Sequence, residues 1–152
     1  MTRAPSRYRR WTRDAAGRPE ALWRCTPLIE QCVENARCEH FNSFVLIASM
    51  DVTPEAEHLF NEVYDTEHVP NLLQVPGVRS VTRMKGEPAR FAIAGSVREL
   101  PAPGPIYTAI YEIDDPQVLQ SPEWAEAVER GRWPSEVRPH TSNRQHLLFK
   151  VR

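Results

Sequence analysis

The densest group of chemically capable side chains in this 152-residue chain is the run Tyr64-Asp65-Thr66-Glu67-His68-Val69-Pro70. On a helix, Tyr64 and His68 at i, i+4 share one face, and Asp65 and His68 at i, i+3 are neighbours. A carboxylate beside an imidazole fixes its tautomer and raises its basicity, which suits a general base working near neutral pH. The same residues also describe a solvated helix end carrying a satisfied histidine, and taken alone they leave both readings open. Arg138-Pro139-His140 precedes the last predicted strand, where a cation would fix a substrate carboxylate or phenolate, or simply pair with a neighbouring acid. Tyr107 and Tyr111 fall on one strand face with Ala109, to line a pocket or to pack against helices. Trp124 and Trp133 fit a core or a stacking platform. His58 sits on the polar side of its helix, and His146 could face either way.

Metal chemistry has one candidate set, Cys25, Cys32, Cys38 and His40, because thiolates and imidazole are preferred zinc ligands. Their spacing does not match compact zinc knuckles, which pair cysteines two to four residues apart. They fit better as plain thiols around a short helix over residues 27–36, and no metal is expected. An odd cysteine count with no apolar leader argues against a disulfide framework and for a reduced, cytoplasmic location. No Gly-rich phosphate loop, His-x-Glu metal pair or Ser-His-Asp order stands out.

These groups must be held by elements, and from Phe41 onward the elements are legible. Residues 44–50 form a continuous apolar run, long enough for one strand buried on both faces. Thr53-Pro54-Glu55 opens a helix with an N-cap, a proline at the first helical position and an acid at the positive end. Ala56, Leu59, Phe60 and Val63 make its apolar stripe. The helix should falter near Val69, because Pro70 disfavours α geometry at the residue before it. Residues 78–85 alternate as a strand. The plan then repeats: a strand over 106–113, a Ser121-Pro122-Glu123 helix start, a glycine stop at Gly131 and a last strand over 145–151. Between the halves, residues 87–105 are proline-rich, with a short edge strand expected over 91–97. Two strand-helix-strand units give a ferredoxin-like βαββαβ α+β sandwich over residues 41–152.

With both helices on one face of a four-stranded sheet, the other face is left bare, and these strands are too apolar on both sides to meet water. Such a face normally marks an interface. A homodimer is therefore expected, the sheets packing into a dimeric α+β barrel; the opposing possibility is that the N-terminal arm covers the sheet.

The run Tyr64 to Pro70, followed by Val75-Pro76-Gly77-Val78, resembles the Tyr-x-x-x-His-x-Pro … Pro-Gly-Val stretch of the EthD-like group of the dimeric α+β barrel superfamily. Residues 106–112, Ser121-Pro122-Glu123-Trp124 and Gly131-Arg132-Trp133 are also similar to members of it. The resemblance covers roughly residues 42–152 and none of the arm. It implies a small homodimer with an apolar pocket between sheet and helices, in a superfamily of cofactor-free polyketide cyclases, muconolactone-type isomerases, quinone-forming monooxygenases and accessory proteins. His68 matches the pocket-mouth histidine that acts as acid/base in several of these. No haem or flavin pattern is present, so no cofactor is expected.

The composition excludes some alternatives. A net charge of −1 gives no global field toward nucleic acid or anionic lipid, and no apolar run is long enough to span a membrane. That charge is a cancellation: residues 1–24 carry +5 and residues 25–152 carry −6. Residues 1–40 thus read as a loosely ordered, basic, Cys-containing extension. The functional expectation is a cofactor-independent enzyme acting on a small aromatic, polyketide-like or lactone compound. In it His68 is the general base, Asp65 or Glu67 orients it, and Tyr64 donates to a developing enolate or phenolate. Arg138, His140, Tyr107, Tyr111 and Trp124 would bind substrate. The alternative is a non-catalytic ligand-binding or accessory dimer.

Overall fold

The alternation of buried and half-buried residues along the central strands sets which face of the sheet carries the helices. In the computed structural model, residues 9–13, 19–22 and 43–151 are described, and they contain eight strands and three short α-helices. The strands are β1 (Arg9–Arg13), β2 (Pro19–Leu22), β3 (Phe44–Val52), β4 (Val78–Lys85), β5 (Ala89–Ile93), β6 (Ser96–Leu100), β7 (Tyr107–Ile113) and β8 (Thr141–Lys150). The helices are α1 (Glu57–Val63), α2 (Val69–Leu72) and α3 (Pro122–Val128). One sheet runs in the order β2-β1-β4-β7-β3-β8, every neighbouring pair antiparallel. Its last four strands, with α1 and α2 between β3 and β4 and α3 between β7 and β8, form the ferredoxin-like βαββαβ arrangement.

Period-2 alternation decides the layers. Leu46, Ala48 and Met50 of β3 are buried, as are Tyr107, Ala109, Tyr111 and Ile113 of β7. They share one core cluster with Phe60 and Val63 of α1, Leu72 of α2 and Trp133. The intervening residues Val45, Ile47, Thr108 and Ile110 face the other side and are half-buried. Across the sheet, Ala48 lies opposite Ala109 on one side and His146 on the other. Two small residues at the centre of the helix-facing surface leave the floor low, and close packing above it is incomplete.

Three elements differ from their sequence expectation. Residues 9–13 and 19–22, placed in a loosely ordered extension by composition, form an antiparallel hairpin on the β4 edge, with Trp11 opposite Val81. The reason is one side chain: Trp11 is buried in the core cluster, and a tryptophan supplies enough apolar area to order a short strand. The rest of residues 1–40, with Cys25, Cys32, Cys38, His40 and the helix expected over 27–36, lies outside the described residues. Residues 91–97 are not one edge strand but the centre of the β5–β6 hairpin, whose turn residues Ala94 and Gly95 have φ of 49° and 76°. Two consecutive positive φ values are the signature of a tight hairpin turn. Finally, Thr53 makes no side-chain cap at the start of its helix, whereas Ser121 accepts from the Trp124 amide at 3.1 Å as its sequence predicts. Among the described residues, no helix is long and apolar enough to cross a membrane.

Candidate functional site

Pro70 shapes the site. A proline at this position has no N–H for the carbonyl of Thr66, and its ring presses on that carbonyl. The helix does not break at Val69, as the sequence rule predicts. Residues 64–68 instead widen into a single π turn, in which the Val69 amide bonds back five residues to the Tyr64 carbonyl, and Val69 keeps helical φ and ψ of −63° and −48°. The chain then continues as α2. Such single π turns inside helices are frequent at functional sites. A second one, Trp133–Val137, begins next to Pro134 and closes with the Arg138 amide on the Trp133 carbonyl.

The two π turns are joined through Glu67. Its carboxylate accepts from the Arg132 amide at 2.9 Å and from Arg132 Nε at 2.6 Å, while Arg132 Nη2 reaches Glu62 at 2.7 Å. Gly131 precedes this contact with φ +76°, and a Cβ there would collide with the Glu67 carboxylate. Glycine is required on both counts. The joint brings His68 and Trp133 face to face, with ring centroids 4.4 Å apart and planes at 25°. Tyr64 packs edge-on to His68 at 4.9 Å.

Above the low floor of the sheet lies an open cavity of about 500 Å³, lined by Tyr64, His68, Tyr111, Trp124 and Trp133, by apolar residues including Leu46, Met50 and Leu72, and by Arg138, Arg144 and His146. Among the described residues, no Asp or Glu lines it. His68 is only 5% exposed, and its Nδ1 is buried with no hydrogen-bond partner among the described residues. That leaves Nε2 as the ring nitrogen a ligand can reach, and no carboxylate or carbonyl selects between the neutral tautomers. Burial, aided by the nearby charges of Arg138 and Arg83, lowers the His68 pKa to about 3. The imidazole is therefore neutral at any ordinary pH.

The predicted site residues separate into those the fold gathers at the cavity and those it sends elsewhere. His68, Tyr64, Tyr111, Trp124 and Arg138 line it. Asp65 does not reach His68; it pairs with Arg83 of β4, which also bonds Asn61 at 2.9 Å and lies 4.3 Å over the Tyr64 ring. Glu67 is occupied by Arg132. Neither acid orients the imidazole, and its basicity is lowered rather than raised. Tyr107 turns to the far side of the core and donates to Glu57, beside Lys85. His140 is exposed and lies outside the cavity lining. Tyr64 is not a free donor, because its hydroxyl lies 2.8 Å from that of Tyr111. Burial holds both phenols above their ordinary pKa, so both are neutral. In a pair of hydroxyls one proton is shared inward, and the acceptor's own proton remains for a ligand.

Arg144 and His146 line the cavity from β8, next to an irregularity in that strand. Between Ser49 and Asp51 the β3–β8 register slips, so β8 holds one extra residue. Asn143 takes φ 49° there, which asparagine tolerates, and its amide bonds Asp51 at 3.0 Å. His146 lies opposite Ala48 in the regular part of the register and Arg144 comes two residues before it, so alternation puts both on the helix side. A turn-favouring Asn in a strand is the one signal that marks the bulge in advance.

The depressed His68 pKa has a consequence for stability. The unfolded chain binds a proton at an ordinary histidine pKa near 6.5, whereas folded His68 does not until about pH 3. Its contribution is thus fully present above pH 6.5 and is lost as pH falls from there toward 3, by about 5 kcal/mol across that window. Urea denaturation at stepped pH should show this slope in the native protein and its absence in His68→Leu. The leucine removes an unpartnered buried polar group, so that variant should be at least as stable at pH 7.

Comparison with known proteins yields little at the level of sequence. No family model matches the chain, and no curated protein matches it. Among solved structures, an ethyl tert-butyl ether D (EthD) family protein from Bacillus halodurans is similar over 72% of this chain and 99% of that chain, at 19% identity and a TM-score of 0.42. The chain's own strand order and register carry the conclusion that it has a ferredoxin-like α+β fold.

Proposed function

We propose that the protein is a small cofactor-independent enzyme that binds an aromatic or polyketide-like compound in this cavity and moves a proton on it. The observation that carries this reading is His68: a buried, neutral imidazole with an unpartnered nitrogen, set in the wall of an apolar cavity. A buried polar side chain without a partner calls for a reason, and a catalytic role is one; here Nδ1 is enclosed and Nε2 is left for a ligand. In the reaction, His68 Nε2 takes a proton from an acidified C–H of the ligand. The electron pair left on carbon moves onto the adjacent oxygen, and the free proton of the Tyr64–Tyr111 pair stabilises that oxygen by a hydrogen bond. His68 is a weak base in the empty site. The enolate formed beside it offsets that weakness, because a negative charge at contact distance favours the imidazolium.

A second reading, binding without turnover, is favoured by the same lack of an orienting carboxylate for His68. Proton exchange separates the two. The α-hydrogen of benzoylacetone, followed by NMR in deuterated buffer, should exchange faster with the native protein. His68→Leu should reduce that acceleration by about 100-fold or more. Ligand resonances that shift with no faster exchange would establish the binding reading instead.

The same proposal includes a homodimer. It is supported by the helix-free side of the sheet, where Val45, Ile47 and Ile110 are half-buried and Met84, Leu147 and Phe149 are exposed. A single chain rarely shows water so continuous an apolar surface. Sedimentation equilibrium should give twice the 17.5 kDa chain mass, and Ile110→Arg should return it to one.

A further inference from the structure

The charges at the cavity point to the kind of ligand it takes. Among the described residues, two guanidinium groups line the cavity and no carboxylate does. They are not equivalent. Arg138 is engaged by both carboxylate oxygens of Glu129, which consumes its charge and its fork. Arg144 has no acidic partner among the described residues: its Nε donates to Thr141 Oγ1 at 2.8 Å and its Nη2 to the Arg138 carbonyl at 2.7 Å. Both acceptors are neutral. These bonds fix the direction of the guanidinium and leave the N–H groups of Nη1 unused. Arg144 stands beside the strand bulge at Asn143, and the Asn143–Asp51 bond pins that bulge.

We propose that the ligand is a planar, largely apolar molecule bearing one carboxylate, which Arg144 receives at the mouth while the ring system lies among Trp124, Trp133 and Met50. This rests on the reading of the cavity as a ligand site and adds its charge requirement. One uncompensated cation matches a monoanion; a phosphate monoester would bring roughly twice the charge to a site with a single free guanidinium. Arginine suits the task because its planar fork meets both oxygens of a carboxylate. The carboxylate also places negative charge in a cavity that has no acidic lining residue among the described ones, which favours proton uptake on His68 once the ligand is bound.

The test compares naphthalene-2-carboxylate, naphthalene-2-carboxamide and 2-naphthyl phosphate by calorimetric titration of the full chain and of Arg144→Gln and Arg144→Lys. The native protein should bind the carboxylate at least tenfold more tightly than the amide and more tightly than the phosphate. Arg144→Gln should erase that preference while leaving amide affinity and melting temperature unchanged, since the side chain is exposed; Arg144→Lys should keep part of it. Equal binding of carboxylate and amide, a preference that survives in Arg144→Gln, or tighter binding of the phosphate would overturn the charge requirement and leave the cavity reading standing. Failure of all three to bind would overturn both.

Discussion

The missing amide hydrogen of Pro70 is the constraint from which the site follows. A regular α-helix would place a donor at that position, and a broken helix would let α2 swing away. The chain does neither, because one five-residue hydrogen bond from Val69 to Tyr64 absorbs the defect. The widened turn points Tyr64 and His68 inward and sends Asp65 and Glu67 outward to opposite sides, where Arg83 and Arg132 hold them. Those two ion pairs tie the turn to β4 and to the second π turn. The acids therefore position the histidine through the backbone and do not touch it.

This separation explains the electrostatics of the cavity. If Asp65 or Glu67 faced His68, the imidazole would be charged or strongly basic in a buried place, at the cost of desolvating an ion pair. With both acids turned away, the imidazole is left neutral and unpartnered among aromatic rings. The unmet Nδ1 is a small penalty of about 1–3 kcal/mol that the fold carries, and Nε2 is the nitrogen left for a ligand. Arg144 on β8 is the counterpart: among the described residues it has no acidic partner, and no carboxylate lines the cavity it borders.

Much of this was legible in the sequence. Strand β3 follows from a continuous apolar run, β4 from alternation and β7 from its β-branched and aromatic content, and the helix starts at Pro54 and Pro122 follow from local rules. Burial of Tyr111 on the cavity side follows from alternation with Ala109. Several of the failures involve a residue whose fate is set by a partner or a backbone adjustment that spacing does not show. Trp11 orders a strand only because the β4 edge is there to receive it. Val69 stays helical because the turn before it can widen. Asp65 abandons a histidine three residues away for an arginine eighteen residues on. Spacing along the chain says which side chains can meet; it does not say which competitor arrives from across the sheet.

The central claim is that His68 is a neutral imidazole held in the cavity wall for a ligand. The direct measurement is the nitrogen-15 spectrum of the His68 ring through a pH titration, first with the protein alone and then with naphthalene-2-carboxylate present. The account predicts a neutral ring down to below pH 5 in the empty protein, with resonances that move when the carboxylate is added. A midpoint near 6.5, or resonances that ignore the ligand, would contradict it.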